Sequence, residues 1–239
     1  MDFSLIGVTY DGTQTFRKGA ARAPKLLREM FPRIETFVNG VDLEEKAFFR
    51  DLGDVKDASK MPEMKGIPII LGGEHSITVA CAKKLGINNV VIFDAHVDCS
   101  PKDSHENVGR RLAEAGFNVY LYGVRVASRE ELEFLKTGKV KLLKSVDELR
   151  AIKGPIYLSV DFDILDQSVL PAVGNPEPDG LLFGQVVEAI AAVAPNVRAM
   201  DFVEYTPTGT AMDEVYSALA AKLIYAAIAE IIRNEKKQI

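Results

Sequence analysis

The chain has 239 residues, of which 47% are hydrophobic and 26% charged, with a formal net charge of −5. That composition suits a globular protein with a full core, built as one large domain or two small ones. It carries no long basic run, which argues against a nucleic-acid partner, and its only cysteines, Cys81 and Cys99, suggest no disulfide framework.

The opening MDFSLIGVTYDG lacks the basic segment and long apolar stretch of a signal peptide. No apolar run is read as approaching the roughly 20 residues a membrane helix needs. The expectation is a cytoplasmic protein without a membrane partner. A mildly negative surface would attract a cationic substrate weakly, but it identifies none.

Along the chain, short apolar runs alternate with helical stretches. FSLIGV (3–8) predicts the first strand, and AARAPKLLREM (about 20–30) the first helix. IPIILG (67–72) precedes a helix at 75–85, NVVIFD (89–94) one at 105–115, and NVYLYGV (118–124) one at 128–136. VKLLK (140–144) precedes a helix at 145–151, and PIYLSVD (155–161) is the next strand. Pro and Gly cluster at 171–184, predicting a long surface loop. A helix at 184–194, the strand VRAMDFV (197–203) and a helix at 211–233 complete the series. The last helix is apolar on more than one face, so it lies sandwiched in the core or packs on another subunit.

The strand runs do not alternate polar with apolar residues, which fits burial on both faces in a parallel sheet. Strand–helix alternation then predicts an α/β fold, a three-layer αβα sandwich with a mostly parallel sheet, formed by one domain over 1–239.

Three histidines occur: His75, His96 and His105. His75 follows IILGGE just past a strand. His96 lies in Asp94-Ala95-His96-Val97-Asp98 just past VVIF, and Asp161-Phe162-Asp163 ends IYLSV. Each set falls at the carboxyl end of a predicted strand, the rim where open α/β sheets bind ligands. Residues i and i+2 of a strand share a face, and i+4 follows once the chain turns over the rim. Asp94, His96 and Asp98 can therefore converge, as can Asp161 and Asp163. With His75 they make four carboxylates and two imidazoles. Oxygen and nitrogen donors without thiolate suit Mn²⁺ and tolerate Co²⁺, Fe²⁺ or Zn²⁺. Four converging carboxylates need compensating charge, and two divalent cations about 3.5–4 Å apart would supply it and acidify a shared water. An Asp-x-Asp pair alone more often makes a turn or caps a helix. A lone His after Gly-Gly is more often a helix-start residue. It is their joint occurrence at successive strand ends that points to a metal centre.

These residues resemble the arginase–agmatinase ureohydrolases. Gly72-Gly73-Glu74-His75-Ser76 is similar to the family's GG(D/E)HS, Asp94 to Asp98 to its DAHxD, and Ser159 to Asp163 to its SxDxD. Pro176-Glu177-Pro178-Asp179-Gly180 resembles its PEPGG loop, and Asp201-Phe202-Val203-Glu204 its DxVE. Ala220-Ala221-Lys222-Leu223 resembles its final helix. Arg17-Lys18-Gly19 with Pro24 and Asp51-Leu52-Gly53-Asp54-Val55 extend the likeness towards the start.

The resemblance implies a binuclear manganese hydrolase with an arginase/deacetylase-like fold, assembled as a trimer or hexamer. One Mn²⁺ would be held by His75 and Asp98, the other by His96 and Asp163, with Asp94 and Asp161 bridging. Glu204 would face the guanidinium, a geometry apt for a carboxylate. His105, in Ser104-His105-Glu106, would carry protons to the leaving amine, as Asp163 could. Here Glu106 stands where the family has Gly, which loosens that match, and the alternative is a helix-start His pointing to solvent. Arg125 resembles a structural family Arg. Cys99 reads as a packing residue rather than a ligand.

Arginases hold the substrate's α-carboxylate and α-amino groups with an Asn after DAHxD and an SGN segment. This chain has Ser100 and Lys102-Asp103-Ser104 there. A guanidine without a carboxylate fits better, and agmatine, cleaved to urea and putrescine, is the leading expectation. Asp103 could meet its distal ammonium and Lys102 a carboxylate, or both are solvated loop charges. Gln167 and Thr206 are further departures that remove no ligand. The alternatives are arginase, guanidinobutyrase or formiminoglutamase activity, amide hydrolysis as in the deacetylase relatives, and a metal-poor regulatory relic.

Overall fold

The computed structural model of the protein describes residues 1–235. Eight strands form one sheet: β1 (Asp2–Val8), β4 (Phe48–Val55), β5 (Ile67–Gly72), β6 (Asn89–Phe93), β7 (Asn118–Tyr122), β8 (Val140–Leu143), β9 (Ile156–Asp161) and β10 (Val197–Val203). Their order is β4-β1-β5-β10-β9-β6-β7-β8, and every neighbouring pair is parallel. A parallel strand needs a crossover to return, and helices on the two faces provide it. On one face lie α1 (Ala23–Met30), α6 (Val146–Arg150), α7 (Phe183–Val193) and α8 (Asp213–Glu235). On the other lie α3 (Ile77–Leu85), α4 (Val108–Glu114) and α5 (Arg129–Leu135). The αβα layering expected from the chain is present.

The two cores show why the strand runs are continuous. Ile69 and Leu71 pack on the α1/α8 side while Ile70 faces α3. Val91 and Phe93 join the first core, Val90 and Ile92 the second. Alternate side chains point to opposite faces, and here both faces are dry, so each position must be apolar.

α8 is the helix left undecided by sequence. It packs against α7 and α1, and Leu223, Ile224, Ile228 and Ile231 are buried. By length and apolar composition alone it could cross a membrane, contrary to the reading that no run approached that size, yet 72% of its most apolar stretch is buried against protein.

Two other elements differ from expectation. β4 reads FFRDLGDV and is largely exposed, so it lacks an apolar run. It is an edge strand, held to β1 on one side and tied down by Arg28. That guanidinium donates to Asp51 Oδ2 at 2.8 Å and to the Gly53 carbonyl at 2.7 Å, and pairs with Asp54. A small antiparallel hairpin, β2 (Phe37–Val38) with β3 (Val41–Asp42), leads into the single turn α2 (Leu43–Lys46). The segment expected as a surface loop at 171–184 is partly interior: Ala172 and Val173 are buried, and Val173 bridges to Tyr205. Arg17 holds it by donating to the Pro171 and Val173 carbonyls.

Candidate metal centre and substrate cavity

Four strands at the centre of the sheet, β5-β10-β9-β6, deliver the candidate residues at their carboxyl ends. After β5 the chain does not enter a helix at once. Gly72 and Gly73 turn it tightly, and a Cβ on Gly73 would lie 2.0 Å from the Tyr10 carbonyl oxygen. α3 begins only at Ile77, two residues beyond the expected start. His75 is therefore left in the turn, and its backbone N–H is free to donate to Glu204 Oε1 at 2.8 Å.

The six predicted donors come together. His75 Nδ1 lies 3.0 Å from Asp94 Oδ2, 3.2 Å from Asp98 Oδ2 and 3.2 Å from Asp161 Oδ2. His96 Nδ1 lies 2.9 Å from Asp163 Oδ2 and 3.4 Å from Asp94 Oδ1. Two groups of potential ligands result, His75/Asp94/Asp98 and Asp94/His96/Asp163, sharing Asp94. Asp161 faces the first group through Oδ2, while its Oδ1 accepts from the Asp163 N–H at 2.8 Å. Asp163 Oδ1 in turn accepts from the Ala95 N–H at 3.0 Å. Backbone amides thus orient the carboxylates from behind.

These residues fit a pair of cations. His75 Nδ1 and Asp94 Oδ2 are buried and make no hydrogen bond, although oxygens crowd the nitrogen. Donors that converge on a point without bonding one another are disposed as ligands. The carboxylates are also out of balance without added positive charge. Burial and Asp94 push Asp98 up to about 7, and burial and Asp163 raise Asp161 well above the usual range. Burial and Asp94 also raise Asp163. Burial opposes ionisation of Asp94 too, but His75 and His96 outweigh it and hold its carboxyl below the usual range.

Local backbone strain occurs here as well. Asp98 and Glu204 adopt left-handed φ angles of 50° and 65°, each costing about 1–3 kcal/mol. The Glu204 N–H donates to the Gly73 carbonyl at 2.8 Å, holding the kink at the end of β10.

A cavity of about 500 Å³ opens above these groups, lined by His96, Asp98, His105, Asp161, Asp163 and Glu204 at its floor. His105 is buried, not turned to solvent. It opens a single 3₁₀ turn before α4 and puts Nδ1 3.3 Å from Glu204 Oε1. Burial lowers its pKa, but Glu204 outweighs that and the net shift is upward. Its Nε2 accepts from the Thr15 N–H at 3.2 Å, so taking a second proton means giving up that bond.

Comparison with known proteins decides the family. The family model described as Arginase family matches residues 1–229. The chain belongs to the arginase family. It is similar to the N(1)-aminopropylagmatine ureohydrolase of Thermococcus kodakarensis, 32% identical over 95% of this chain and 89% of that protein. The agmatinase of Pyrococcus horikoshii is 30% identical over 94% and 90%. Among solved structures, the agmatine ureohydrolase of Thermoplasma volcanium superposes with a TM-score of 0.86 at 30% identity, covering 99% of this chain and 92% of that one. This arginase-family chain is accordingly a metal-dependent hydrolase of guanidino groups, and its family works with a binuclear centre.

Several residues of the arginase-family site had no role assigned from sequence. Gln14, buried, donates to Glu204 Oε2 at 2.7 Å and to Thr206 Oγ1 at 3.3 Å. Thr206, where Asn is usual in the family, thus supports Gln14. Glu74 accepts from the Thr13 N–H at 2.7 Å and from Ser76 Oγ at 2.6 Å, anchoring the loop that carries Gln14. Glu177 places Oε1 3.4 Å from His96 Nε2. The PEPGG-like stretch carried the signal for Glu177, but no spacing rule pointed to Gln14.

Arg125 is structural, as expected, and it acts within this chain. It donates to the Asp163 carbonyl at 2.7 Å, to Pro178 at 2.8 Å and to Glu177 at 3.1 Å, pinning the 176–180 loop over the rim. Cys99 is buried and belongs to neither ligand group. Asp103 is exposed, pairs with Arg111 at 3.3 Å and does not line the cavity, whereas Lys102 and Ser100 do.

Proposed function

We propose that this ureohydrolase releases urea from agmatine using two Mn²⁺ ions. His75, Asp98, Asp94 and Asp161 would hold one ion, and His96, Asp163, Asp94 and Asp161 the other. The mixed carboxylate–imidazole donor set supports Mn²⁺. When bound, the metal pair supplies Lewis-acid charge and an acidified water able to attack at neutral pH.

The protein's own groups do the rest. Glu204 receives the guanidinium. A carboxylate has about four acceptor sites, and hydrogen bonds from Gln14 and the His75 N–H occupy only part of them. Those two donors fix the carboxylate plane, so binding needs little reorganisation. His105 Nδ1, beside Glu204, is placed to hand a proton to the departing amine, and Asp163 is the second candidate. Water adds across the C–N bond, the amine leaves protonated, and urea follows.

The lining of the outer cavity carries the choice of substrate. Glu106, Glu130 and Glu177 line it against one cation, Lys102. Such a wall favours a cationic tail and disfavours a free carboxylate. A second reading is N(1)-aminopropylagmatine, favoured by the Thermococcus kodakarensis relative's name and by the same acidic wall, which would suit a longer polycation.

The test is a panel of agmatine, N(1)-aminopropylagmatine, arginine and 4-guanidinobutyrate assayed for urea, and formiminoglutamate for formamide, with Mn²⁺-loaded protein. One of the two decarboxylated guanidines should exceed arginine in kcat/KM by at least about 100-fold. A preference for arginine, or turnover without divalent metal, would overturn the proposal. Glu204→Gln should lower kcat/KM by about 100-fold or more.

A further inference from the structure

Beneath His75 lies a chain of buried hydroxyls ending on a carboxylate. His75 Nε2 lies 3.1 Å from Ser159 Oγ, and Ser159 Oγ lies 3.3 Å from Thr78 Oγ1. Thr78 Oγ1 donates to Asp201 Oδ2 at 2.8 Å, and the Tyr157 hydroxyl donates to the same oxygen at 2.6 Å. Ser159, Thr78, Tyr157 and Asp201 are all fully buried, and Asp201 Oδ1 has no hydrogen-bond partner. None of these groups lines the cavity or touches the proposed reacting atoms.

The direction of this chain follows from its end. An ionised carboxylate only accepts, so Tyr157 and Thr78 must both donate to it. Thr78, its one proton committed, can only accept from Ser159. With the Ser159 proton given to Thr78, the Ser159 oxygen is left as an acceptor towards His75. Nε2 must then carry a hydrogen, and the lone pair of His75 sits on Nδ1, the atom facing Asp94, Asp98 and Asp161.

We propose that Asp201, acting through Thr78 and Ser159, is a positioning residue that fixes the tautomer and tilt of His75 and so sets the affinity of the metal site His75 serves. The proposal rests on His75 being a ligand. Carboxylates behind metal-bound imidazoles serve this purpose directly. Here two hydroxyls carry the influence from one strand and one helix: Ser159 on β9 and Thr78 on α3, with Asp201 on β10. A metal ligand on a turn after β5 is thereby tied to β9 and β10, two of the other three strands that build the rim.

The experiment is titration of the metal-free full-length protein with Mn²⁺ alone, reading free Mn²⁺ by electron paramagnetic resonance. Wild type should bind two ions per chain. Thr78→Val keeps the side-chain shape and removes the hydroxyl, and it should weaken one ion by about 10–100-fold while leaving the other within about twofold. Thr78→Ser, which restores the hydroxyl, should bind both ions as wild type does. Ser159→Ala should weaken the same ion, and combined with Thr78→Val it should add little, because both variants break one chain. Equal weakening of both ions, tracking a fall in melting temperature, would show mere packing and overturn the proposal. So would wild-type binding by Thr78→Val. A wild type that binds no Mn²⁺ overturns instead the reading of the metal centre itself.

Discussion

The rim over β5, β10, β9 and β6 and the interior beneath α8 are built to opposite rules. Beneath α8, Leu223, Ile228 and their neighbours are dry and apolar, and the buried Glu230 of that helix is paired with Arg233 at 2.7 Å. At the rim, Asp94, Asp98, Asp161 and Asp163 are buried side by side, His75 Nδ1 and Asp94 Oδ2 lack hydrogen bonds, and two non-glycine residues are held in left-handed conformations. The interior contributes stability, while the rim tolerates strain and repulsion that a bound cation pair would relieve. Active sites commonly show this opposition between stability and function.

The sharpest way to break that comparison is to neutralise one rim carboxylate. Asp161→Asn should lower urea release by about 1,000-fold or more. The same variant should melt higher than wild type when both are metal-free near pH 7. Burial and Asp163 raise the Asp161 pKa in the folded state, so its ionised form opposes folding as pH rises above the ordinary carboxylate range. A calorimetric scan with and without Mn²⁺ checks both arms, and a lower melting temperature for the metal-free variant would contradict the account of the rim.

The reciprocal change lies in the core. Ile228→Ala should cost about 2–5 kcal/mol in denaturant unfolding while leaving turnover per folded molecule unchanged. A selective loss of kcat would show that the two regions are coupled.

Arg125→Ala tests the boundary between them. The side chain ties the Asp163 carbonyl to the 176–180 loop. Its loss should lower kcat/KM by about tenfold and cost about 1–3 kcal/mol in unfolding free energy.

The smallest effect concerns His105. Its pKa is raised above 6.5, burial opposing and Glu204 prevailing. A raised histidine pKa stabilises the fold fully below the unfolded value, and that contribution fades as pH climbs through the folded one. The cost of burying the charged ring offsets most of what Glu204 contributes, which limits the effect to less than about 1 kcal/mol. The melting-temperature gap between metal-free wild type and His105→Gln should therefore narrow from pH 6 to pH 9. A gap that widens would show that the ring is neutral when folded and held by Thr15 alone.

The strands that build the rim were legible because each is buried on both faces and must be apolar throughout. β4 was not, since an edge strand exposed to water keeps polar residues and is recognised only by its pairing with β1. The convergence of His75, Asp94, His96, Asp98, Asp161 and Asp163 was legible because short spacings after strands leave little freedom in where side chains go. Gln14 had no such signature. It sits 190 residues from Glu204 in sequence and reaches it only because β1 and β10 flank β5 in the sheet. Asp201 was visible as part of a DxVE-like segment, but its route to His75 runs through three separate elements.

Local pattern, then, determined seven of the eight sheet strands, the helices that flank them and which six side chains meet at the rim, because composition and spacing act within a few residues. Which donors share Asp94, how Gln14 and His75 grip Glu204, and where the Asp201 chain ends were decided only by the order in which the strands lie side by side. A parallel sheet places residues far apart in the chain within hydrogen-bond reach at one edge, and no stretch of sequence contains that adjacency.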